Sequence, residues 1–373
     1  MAFDPPLRIL LAHRRCAISG VESWLVDLWR AFRALGHACE LFFFGGGPMA
    51  AQLPPGCVAH FGGLADGLLL VGRRAFDVVH ADTIDWDVGI AALRGPAGPP
   101  RLVLTAQTAP VPAWTSANCD ALVGCSEWLA AAQQALTDLP VQAVLNGVDT
   151  GAFTPCLEPG EGPPIVAWVG RGSDLRHKRI DRFAALAPAL AAAGLRLRLA
   201  DPDGPTRVPQ AVAEALRHTA EFWGPVPRAA MPRFFREVAA SGGCVVSTSS
   251  REGLPFALLE AQACGCPVIA PATRGVNECV DPAHGGVLYA PGAPPAELGR
   301  LVLDTLHDGA GMGWRRRACV RYVRRRFSLD RMARDYLRVY RGTASRDVLR
   351  PVGVGEGRAA RPFRPSAGIW PGD

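Results

Sequence analysis

The sequence lacks any apolar run that is long enough to cross a membrane. A transmembrane helix needs about 18–20 consecutive apolar residues, and no stretch of these 373 residues approaches that length. The amino terminus, residues 1–11, is too short for a signal peptide and is interrupted by Pro5, Pro6 and Arg8. We therefore expect a soluble, cytoplasmic protein that makes at most weak peripheral contact with a membrane.

The chain also lacks paired cysteine motifs and the glycine pattern of dinucleotide-binding proteins. Its 11 cysteines include no C-x-x-C pair, and Cys125, Cys244 and Cys279 lie in apolar segments that we predict as strands. We interpret the cysteines as reduced, space-filling residues of a cytosolic protein. No G-x-G-x-x-G follows the first predicted strand, which argues against a dinucleotide cofactor.

Neither the net charge nor the acidic residues indicate a nucleic-acid or metal site. The formal charge of +6 is modest, and much of the arginine lies near the carboxyl end. This balance does not identify a nucleic-acid binder and fits an anionic small ligand equally well. Aspartates cluster at Asp201 and Asp203 and at Asp82, Asp85 and Asp87, but aspartate is common in turns, so we predict no metal site.

A chain of 373 residues exceeds what one hydrophobic core usually supports, so two domains of roughly 150 residues are expected. Apolar strands alternate with helices of 3.6-residue periodicity, which predicts a doubly wound parallel sheet of the α/β class in each domain. The predicted strands are residues 7–12, 38–44, 76–81, 101–106, 121–124, 141–145, 165–169 and 195–199. The predicted helices are residues 21–35, 86–93, 127–136, 180–193, 210–216 and 294–326.

Composition marks the boundaries between these units. Residues 154–164 are rich in Pro, Gly and acidic side chains, which is typical of a linker. A last helix follows an N-cap at Ser328 and runs to Tyr340. We therefore predict domains at residues 1–150 and 151–326, a carboxyl-terminal helix within 327–342, and a disordered tail at 343–373. The helix over 294–326 ends in an arginine run, which we interpret as a solvated charged face rather than a contact with acidic lipid.

The rest of the chain is organised around one stretch, residues 251–270. An apolar run at residues 244–250 leads into it like a buried strand, Pro255 occupies a predicted first helical position, and Gly265 ends the helix. Glu252 then lies in the loop at the carboxyl end of the strand, and Glu260 lies inside the helix. Two carboxylates thus bracket a helix start, where α/β sheets bind anionic ligands.

A second candidate site follows the predicted strand over residues 165–169. Gly170 permits close backbone approach, and Arg171 and Lys178 flank a loop that opens the next helix. This arrangement suits a diphosphate. The alternative interpretation is a basic surface loop.

A third candidate lies at the first turn from strand to helix, where Ser19, Gly20 and Glu22 stand in sequence. Ser19 with Glu22 three positions later forms a capping box whatever the function. A role for Gly20 in ligand binding would be additional to that cap.

Together these residues resemble the retaining GT-B glycosyltransferases of family four, over about residues 7–341. The segment from Glu252 to Glu260, with its Ala-Cys-Gly-Cys-Pro-Val-Ile-Ala continuation, is similar to the family's E-x7-E signature. Gly170-Arg171 with Lys178 matches the phosphate-binding pair, and Gly20 matches the amino-terminal glycine loop. Residues 146–149 match the crossing between domains, and residues 327–342 the helix that crosses back.

The resemblance implies two Rossmann-like domains, an amino-terminal acceptor domain and a carboxyl-terminal donor domain. It implies metal-independent transfer from a nucleotide-diphosphate sugar, which we expect to be a UDP-sugar, without a further cofactor. Arg171 and Lys178 would hold the diphosphate, Glu260 the ribose hydroxyls, and Glu252 would lie beside the sugar. The other implied donor-binding positions are Gly20, Gly170, Gly253, Leu254 and Phe256, of which Leu254 and Phe256 offer backbone N–H groups.

One position departs from the family pattern. Gln107 stands where the family often has a histidine, and glutamine can hydrogen-bond a sugar but cannot carry a proton. His80 is a candidate substitute, although a strand-end histidine satisfied by backbone is the simpler interpretation. Two alternatives therefore stay open, a catalytically silent sugar-nucleotide binder and a GT-B epimerase.

The loops at residues 45–56 and 109–118 would bind the acceptor, a glycan, lipid or small metabolite.

Overall fold

The computed structural model describes residues 5–82, 100–111, 119–156, 158 and 160–342. The predicted helix over 86–93, Asp85 and Asp87, most of the loop at 109–118 and the tail at 343–373 lie outside the described residues. Within the described residues the chain forms two parallel sheets flanked by helices. The predicted α/β class, with two Rossmann-like domains, is confirmed.

In the described part of the chain, the amino-terminal sheet has seven strands. They are β1 (Arg8–His13), β2 (Ala38–Phe43), β3 (Ala59–Phe61), β4 (Val78–Ala81), β5 (Arg101–Ala106), β6 (Ala121–Gly124) and β7 (Val141–Ala143). The helices described here are α1 (Gly20–Ala34), α2 (Leu64–Arg73) and α3 (Glu127–Gln134). The strand order is β3-β2-β1-β4-β5-β6-β7, and neighbouring strands run parallel.

The carboxyl-terminal sheet has six strands. They are β8 (Ile165–Val169), β9 (Arg196–Ala200), β10 (Ala220–Phe222), β11 (Cys244–Val246), β12 (Val268–Pro271) and β13 (Val287–Tyr289), in the order β10-β9-β8-β11-β12-β13. The helices are α4 (Ile180–Ala184), α5 (Ala187–Ala192), α6 (Gln210–Leu216), α7 (Met231–Ala240), α8 (Phe256–Ala263), α9 (Val276–Cys279), α10 (Pro295–His307), α11 (Gly309–Arg326) and α12 (Leu329–Arg341). Every strand is parallel to its neighbours.

Two long predicted helices are each divided in the structure. The helix predicted over residues 180–193 becomes α4 and α5, because Pro188 lacks the N–H that a continuous helix needs and fits the first turn of α5 instead. The helix predicted over 294–326 breaks at Asp308, whose side chain accepts a hydrogen bond from the Gly311 N–H and caps α11. Pro255 is the N-cap residue of α8 rather than its first helical residue.

The cores lie between each sheet and its helices. In α1, Trp24, Leu25, Leu28 and Phe32 are at most 1% exposed. Burial of each such side chain contributes about 1.5–3 kcal/mol, so α1 is held to the sheet chiefly by this face. All eleven cysteines are free thiols, and Cys279 ends the helix α9 rather than lying in a strand. Among the described residues, no helix has the length and apolar character to cross a bilayer.

The chain crosses between the domains twice, and the two crossings touch. The Val148 N–H donates to the Phe327 carbonyl at 2.8 Å, and the Leu329 N–H donates to the Val148 carbonyl at 2.9 Å. A Cβ at Gly147 would lie 2.6 Å from the Ser328 carbonyl oxygen, so this close approach requires glycine. The Ser328 hydroxyl caps α12 by accepting from the Arg331 N–H, as predicted.

Helix α12 belongs to the amino-terminal core although it is last in sequence. Tyr336 and Tyr340 pack in the same apolar cluster as α1, and their hydroxyls enclose a buried polar group with Thr105. His80 lies inside this group, 2.6 Å from the Tyr340 hydroxyl and 2.7 Å from the Thr105 hydroxyl. The partners of His80 are therefore side chains, not the backbone that the sequence suggested. Burial lowers the pKa of His80 to about 3, which keeps the ring neutral.

Candidate functional site

The three predicted turns meet where the carboxyl edges of the two sheets face each other. The loop after β1 carries Gly20, the loop after β8 carries Gly170 and Arg171, and the loop after β11 carries Glu252. In parallel α/β sheets this edge is where ligands bind, because the strand ends and helix starts leave backbone N–H groups free.

Lys178 and Glu252 form an ion pair beside the cleft. The Lys178 Nζ lies 2.5 Å from the Glu252 Oε1, and the side chains are 30% and 13% exposed. The Lys178 carbonyl accepts a hydrogen bond from the Thr248 hydroxyl at 2.8 Å, which ties its loop to the end of β11. Lys178 is also the only lysine in the chain. A cation that is partly exposed and held by one carboxylate is available to an anionic ligand.

Arg171 reaches across the cleft from the carboxyl-terminal domain. Its guanidinium lies 3.4 Å from the Ile18 carbonyl in the glycine loop and 3.5 Å from an Asp203 carboxylate oxygen. Asp201 does not pair with Arg171. Its carboxylate accepts hydrogen bonds from the Gly172 N–H at 3.0 Å and the Asp203 N–H at 2.9 Å. Asp201 thus shapes the loop that presents Arg171.

Gly253 brings the loop after β11 against the amino-terminal domain. A Cβ at Gly253 would lie 1.8 Å from the Gln107 carbonyl oxygen, so only glycine fits there. The indole N–H of Trp128 donates to the Gly253 carbonyl at 3.1 Å, and the Asn146 amide donates to the Leu254 carbonyl at 3.1 Å. Gly253 and Leu254 are therefore fixed by residues of the other domain.

The Gln107 side chain lies in this junction and is 9% exposed. Its Oε1 lies 3.5 Å from the Asn146 Nδ2, at the limit of a hydrogen bond. Its Nε2 is buried and has no hydrogen-bond partner among the described residues. An unsatisfied buried donor costs about 1–3 kcal/mol, and at a cleft edge it is a candidate for a ligand contact.

Glu260 has a partner that the sequence did not indicate. Its Oε1 accepts a hydrogen bond from Arg228 at 2.6 Å, and Arg228 also pairs with Asp27 of α1. The Asp27, Arg228 and Glu260 side chains are 1%, 17% and 5% exposed. Burial alone would lower the pKa of Arg228, but the charges of Asp27 and Glu260 raise it above its ordinary value. This buried ion cluster joins the two domains across the site.

A further ion cluster, centred on His13, lies at the end of β1 and was also not predicted. The His13 Nδ1 lies 2.6 Å from an Asp82 oxygen, and its Nε2 lies 3.4 Å from a Glu22 oxygen. Burial opposes the charge of His13, but the hydrogen bonds that its ring donates to the Asp82 and Glu22 carboxylates outweigh burial and raise the pKa of His13 to about 9. Glu22 also pairs with the Ser19 hydroxyl, which caps α1 by accepting from the Val21 N–H. The predicted Ser19 cap is present. The reciprocal bond of a capping box is not, because the Glu22 carboxylate accepts from the Ala17 N–H at 3.1 Å and pairs with His13 instead of accepting from the Ser19 N–H.

The structure brings the predicted residues together in two adjoining groups. A cavity of about 150 Å³ lies between the glycine loop and α8 and is lined by Gly20, Phe256 and Glu260. A Cβ at Gly20 would lie 3.5 Å from the Phe256 ring, so the two domains are in close contact there. Lys178 and Glu252 do not line this cavity and form the second group, next to Gly253, whose backbone packs against the Gln107 carbonyl. Within the described part of the chain, no three His, Cys, Asp or Glu side chains are grouped to hold a metal ion.

Sequence comparison finds a family match within the carboxyl-terminal domain and relatives that align over about half of the chain. Residues 163–308 match the family model described as glycosyl transferases group 1. D-inositol 3-phosphate glycosyltransferase of Salinispora tropica is 31% identical over 228 residues, covering 54% of this chain and 45% of that protein. The corresponding protein of Kribbella flavida is 30% identical, covering 52% of this chain and 53% of its own length. The chain thus spans about half the length of the curated relatives it matches.

Structure comparison extends the similarity to both domains. Anabaena HepE in complex with UDP and glucose superposes with a TM-score of 0.70 at 17% identity, covering 89% of this chain and 99% of that one. A glycosyltransferase from Rickettsia africae superposes with a TM-score of 0.74 at 15% identity, covering 90% and 98%. At these identities the similarity shows the fold. Residues 163–308 are thus similar to the group 1 glycosyltransferase family, in a chain whose two domains have the GT-B fold.

Proposed function

We propose that this protein transfers a sugar from a nucleotide-diphosphate donor to an acceptor hydroxyl, with retention of anomeric configuration and without a metal ion. The observation that carries this proposal is that the Lys178–Glu252 ion pair of one domain lies next to Gly253, whose backbone packs against the Gln107 carbonyl of the other domain. The family match over residues 163–308 supports it, because that range contains Lys178 and both glutamates of the E-x7-E segment.

The chemistry explains why these residue types are needed. When the bond between the anomeric carbon and the phosphate oxygen breaks, positive charge develops on the sugar and negative charge on the departing diphosphate. Fixed cations and helix-start amides near that oxygen lower the barrier because they stabilise the charge where it develops. Lys178, Arg171 and the first turn of α8 would supply this stabilisation. The acceptor hydroxyl would attack the anomeric carbon on the face that the phosphate leaves, which retains the configuration. Its proton would pass to the departing phosphate oxygen, and the leaving group would be released as the nucleoside diphosphate.

The ion pair between Lys178 and Glu252 suggests how the donor would enter. A diphosphate would compete with the Glu252 carboxylate for the Lys178 ammonium, since both are anions and Lys178 is partly exposed. Once released, Glu252 would accept hydrogen bonds from the hydroxyls of the transferred sugar. The unpaired Nε2 of Gln107 would donate to the sugar from the opposite domain.

Donor and acceptor identity are part of the proposal. We propose a UDP-sugar as donor, supported by the HepE structure that contains UDP and glucose. The matched relatives are named for D-inositol 3-phosphate, so inositol phosphates belong in the acceptor panel with glycans and lipids. Nucleotide release measured over this panel, with EDTA present, tests transfer and metal independence together. NMR of the product's anomeric centre tests retention. Release of no nucleotide with any pair would contradict the proposal.

The single lysine permits a direct test of the donor site. A reagent that acetylates primary amines can modify only Lys178 and the terminal amine, so mass spectrometry reports this one side chain. UDP should slow modification of Lys178 at least several-fold and leave the terminal amine unchanged. An unchanged rate at saturating UDP would show that the nucleotide binds elsewhere.

Gln107 distinguishes transfer from the alternative of a silent sugar-nucleotide binder. If the wild-type protein binds UDP-sugars without turnover and Gln107→His restores transfer, the silent binder is correct. If the wild type already transfers sugar, that alternative is excluded. Product analysis without acceptor separates a GT-B epimerase from both, because an epimerase needs none.

A further inference from the structure

A second cavity lies where the two domains join, apart from the candidate donor site. Its volume is about 790 Å³, and it shares no lining residue with the cavity beside Glu260. Its walls come from the start of α3 and Leu145 in the amino-terminal domain, and from α11 and α12. The charged lining residues are Arg321, Arg325, Arg326, Arg331, His284 and Glu127.

Arginines outnumber carboxylates in the lining of this cavity. Glu127 pairs with Arg326 at 2.8 Å, and Arg331 lies 3.6 Å from Asp335. Arg321 and Arg325 are exposed and have no ion-pair or hydrogen-bond partner among the described residues. They lie four positions apart on α11, so both point to the same side of the helix. Like charges at this spacing repel each other and destabilise a helix, a cost that a bound anion would relieve.

The cavity also has a fixed aromatic wall and a buried free donor. The rings of Tyr322 and His284 stack with centroids 4.4 Å apart and planes at 21°, and the Tyr322 hydroxyl donates to the Glu278 carbonyl at 2.9 Å. The Arg326 Nε is buried and has no partner among the described residues. A concave site with free guanidinium groups and a rigid wall suits a small anion better than it suits the flat surface of a membrane or another protein.

We propose that this cavity binds a small phosphorylated molecule through Arg321 and Arg325. Guanidinium groups bind phosphate oxygens in a bidentate manner, which makes phosphate the favoured anion. Because Glu127 and Leu145 belong to the other domain, such a ligand would contact both domains at their junction. The site is independent of the donor diphosphate site at Lys178 and Arg171.

Calorimetric titration with inorganic pyrophosphate tests this site. The titrations use the Lys178→Ala variant at physiological salt, so that the proposed donor site does not obscure the result. We expect saturable binding, and at least ten-fold weaker binding when Arg321→Gln and Arg325→Gln are added. The matched control adds Arg317→Gln and Arg324→Gln, which remove the same charge from exposed positions of α11 that do not line the cavity. This control should bind as the parent does.

Three results would overturn the proposal. Absence of saturable binding would show that the arginines form no site. An equal loss in both double variants would show that only diffuse surface charge attracts the anion. Co-sedimentation with phosphatidylglycerol vesicles that depends on Arg321 and Arg325, without binding of pyrophosphate, would assign the cluster to a lipid surface instead. Circular dichroism of each variant excludes misfolding as the cause of a loss.

Discussion

The two glutamates of the E-x7-E segment lie in contrasting surroundings. Glu252 lies in a loop and pairs with Lys178, whose side chain is 30% exposed. Glu260 lies inside α8 and belongs to a buried cluster with Arg228 and Asp27, in which Asp27 is 1% exposed. A ligand can open an exposed pair at little cost, whereas removing one member of a buried cluster leaves an uncompensated charge. The first pair is therefore suited to exchange with a substrate, and the second to holding the two domains in place.

Arg228→Met should have the largest effect on stability. It leaves the Asp27 and Glu260 carboxylates buried without their cation, which should lower the free energy of unfolding by about 3–5 kcal/mol. Urea denaturation measures the change. The matched control is Arg233→Met, which removes an arginine that is 75% exposed and pairs with Glu237, and should cost less than about 1 kcal/mol. Similar midpoints for both variants would show that the buried cluster contributes no more than a surface ion pair.

Lys178→Ala should have the largest effect on activity with little effect on stability. Loss of a charged partner of the diphosphate should lower kcat/KM by at least about 30-fold, equivalent to about 2 kcal/mol. The free energy of unfolding should change by less than about 1 kcal/mol, because the pair with Glu252 is partly exposed. Arg176→Ala, an exposed position in the same loop, is the control and should retain wild-type rates. Wild-type rates for Lys178→Ala would refute its assignment to the donor site.

The His13 cluster provides a smaller test based on pH. The folded-state pKa of about 9 lies above the unfolded value near 6.5, so the stability from His13 is fully present below pH 6.5 and is lost toward pH 9. Between pH 6.5 and 8 the free energy of unfolding should fall by about 1–2 kcal/mol. His13→Gln should remove most of this slope. A slope that persists in the variant would have to come from other groups.

Glu278 should have the smallest effect. Its carboxylate accepts the backbone N–H groups of Glu127 at 2.7 Å and Trp128 at 2.8 Å, and so caps α3 from the other domain. Glu278→Ala should lower the free energy of unfolding by about 1 kcal/mol, as for other helix caps. UDP affinity and KM should each change by no more than a few-fold. A loss comparable to that of Arg228→Met would show that this contact, rather than the buried cluster, holds the domains together.

Local sequence patterns were sufficient for much of the fold. Strands β5, β6 and β8 and helix α6 have the bounds that their apolar patterns predict. The short strands β3, β10 and β13 were not predicted, because three residues carry too little periodicity to be recognised. Helix α7 was also not predicted, although Phe234, Phe235 and Val238 follow helical spacing and are fully buried. Helix α7 could have been predicted from this spacing.

Sequence by itself determined the alternation of strands and helices, the glycine turns and the E-x7-E segment, because each depends on residues close together in the chain. It also placed Glu252 in a loop at a strand end, Glu260 inside the helix that follows, and Lys178 in the loop that opens α4. Only the tertiary structure decided their partners. Arg228 lies 201 positions from Asp27, and Tyr340 of α12 contacts His80, which is 260 positions away. No local pattern encodes such contacts, since they form only when the two sheets and the crossing helix pack together.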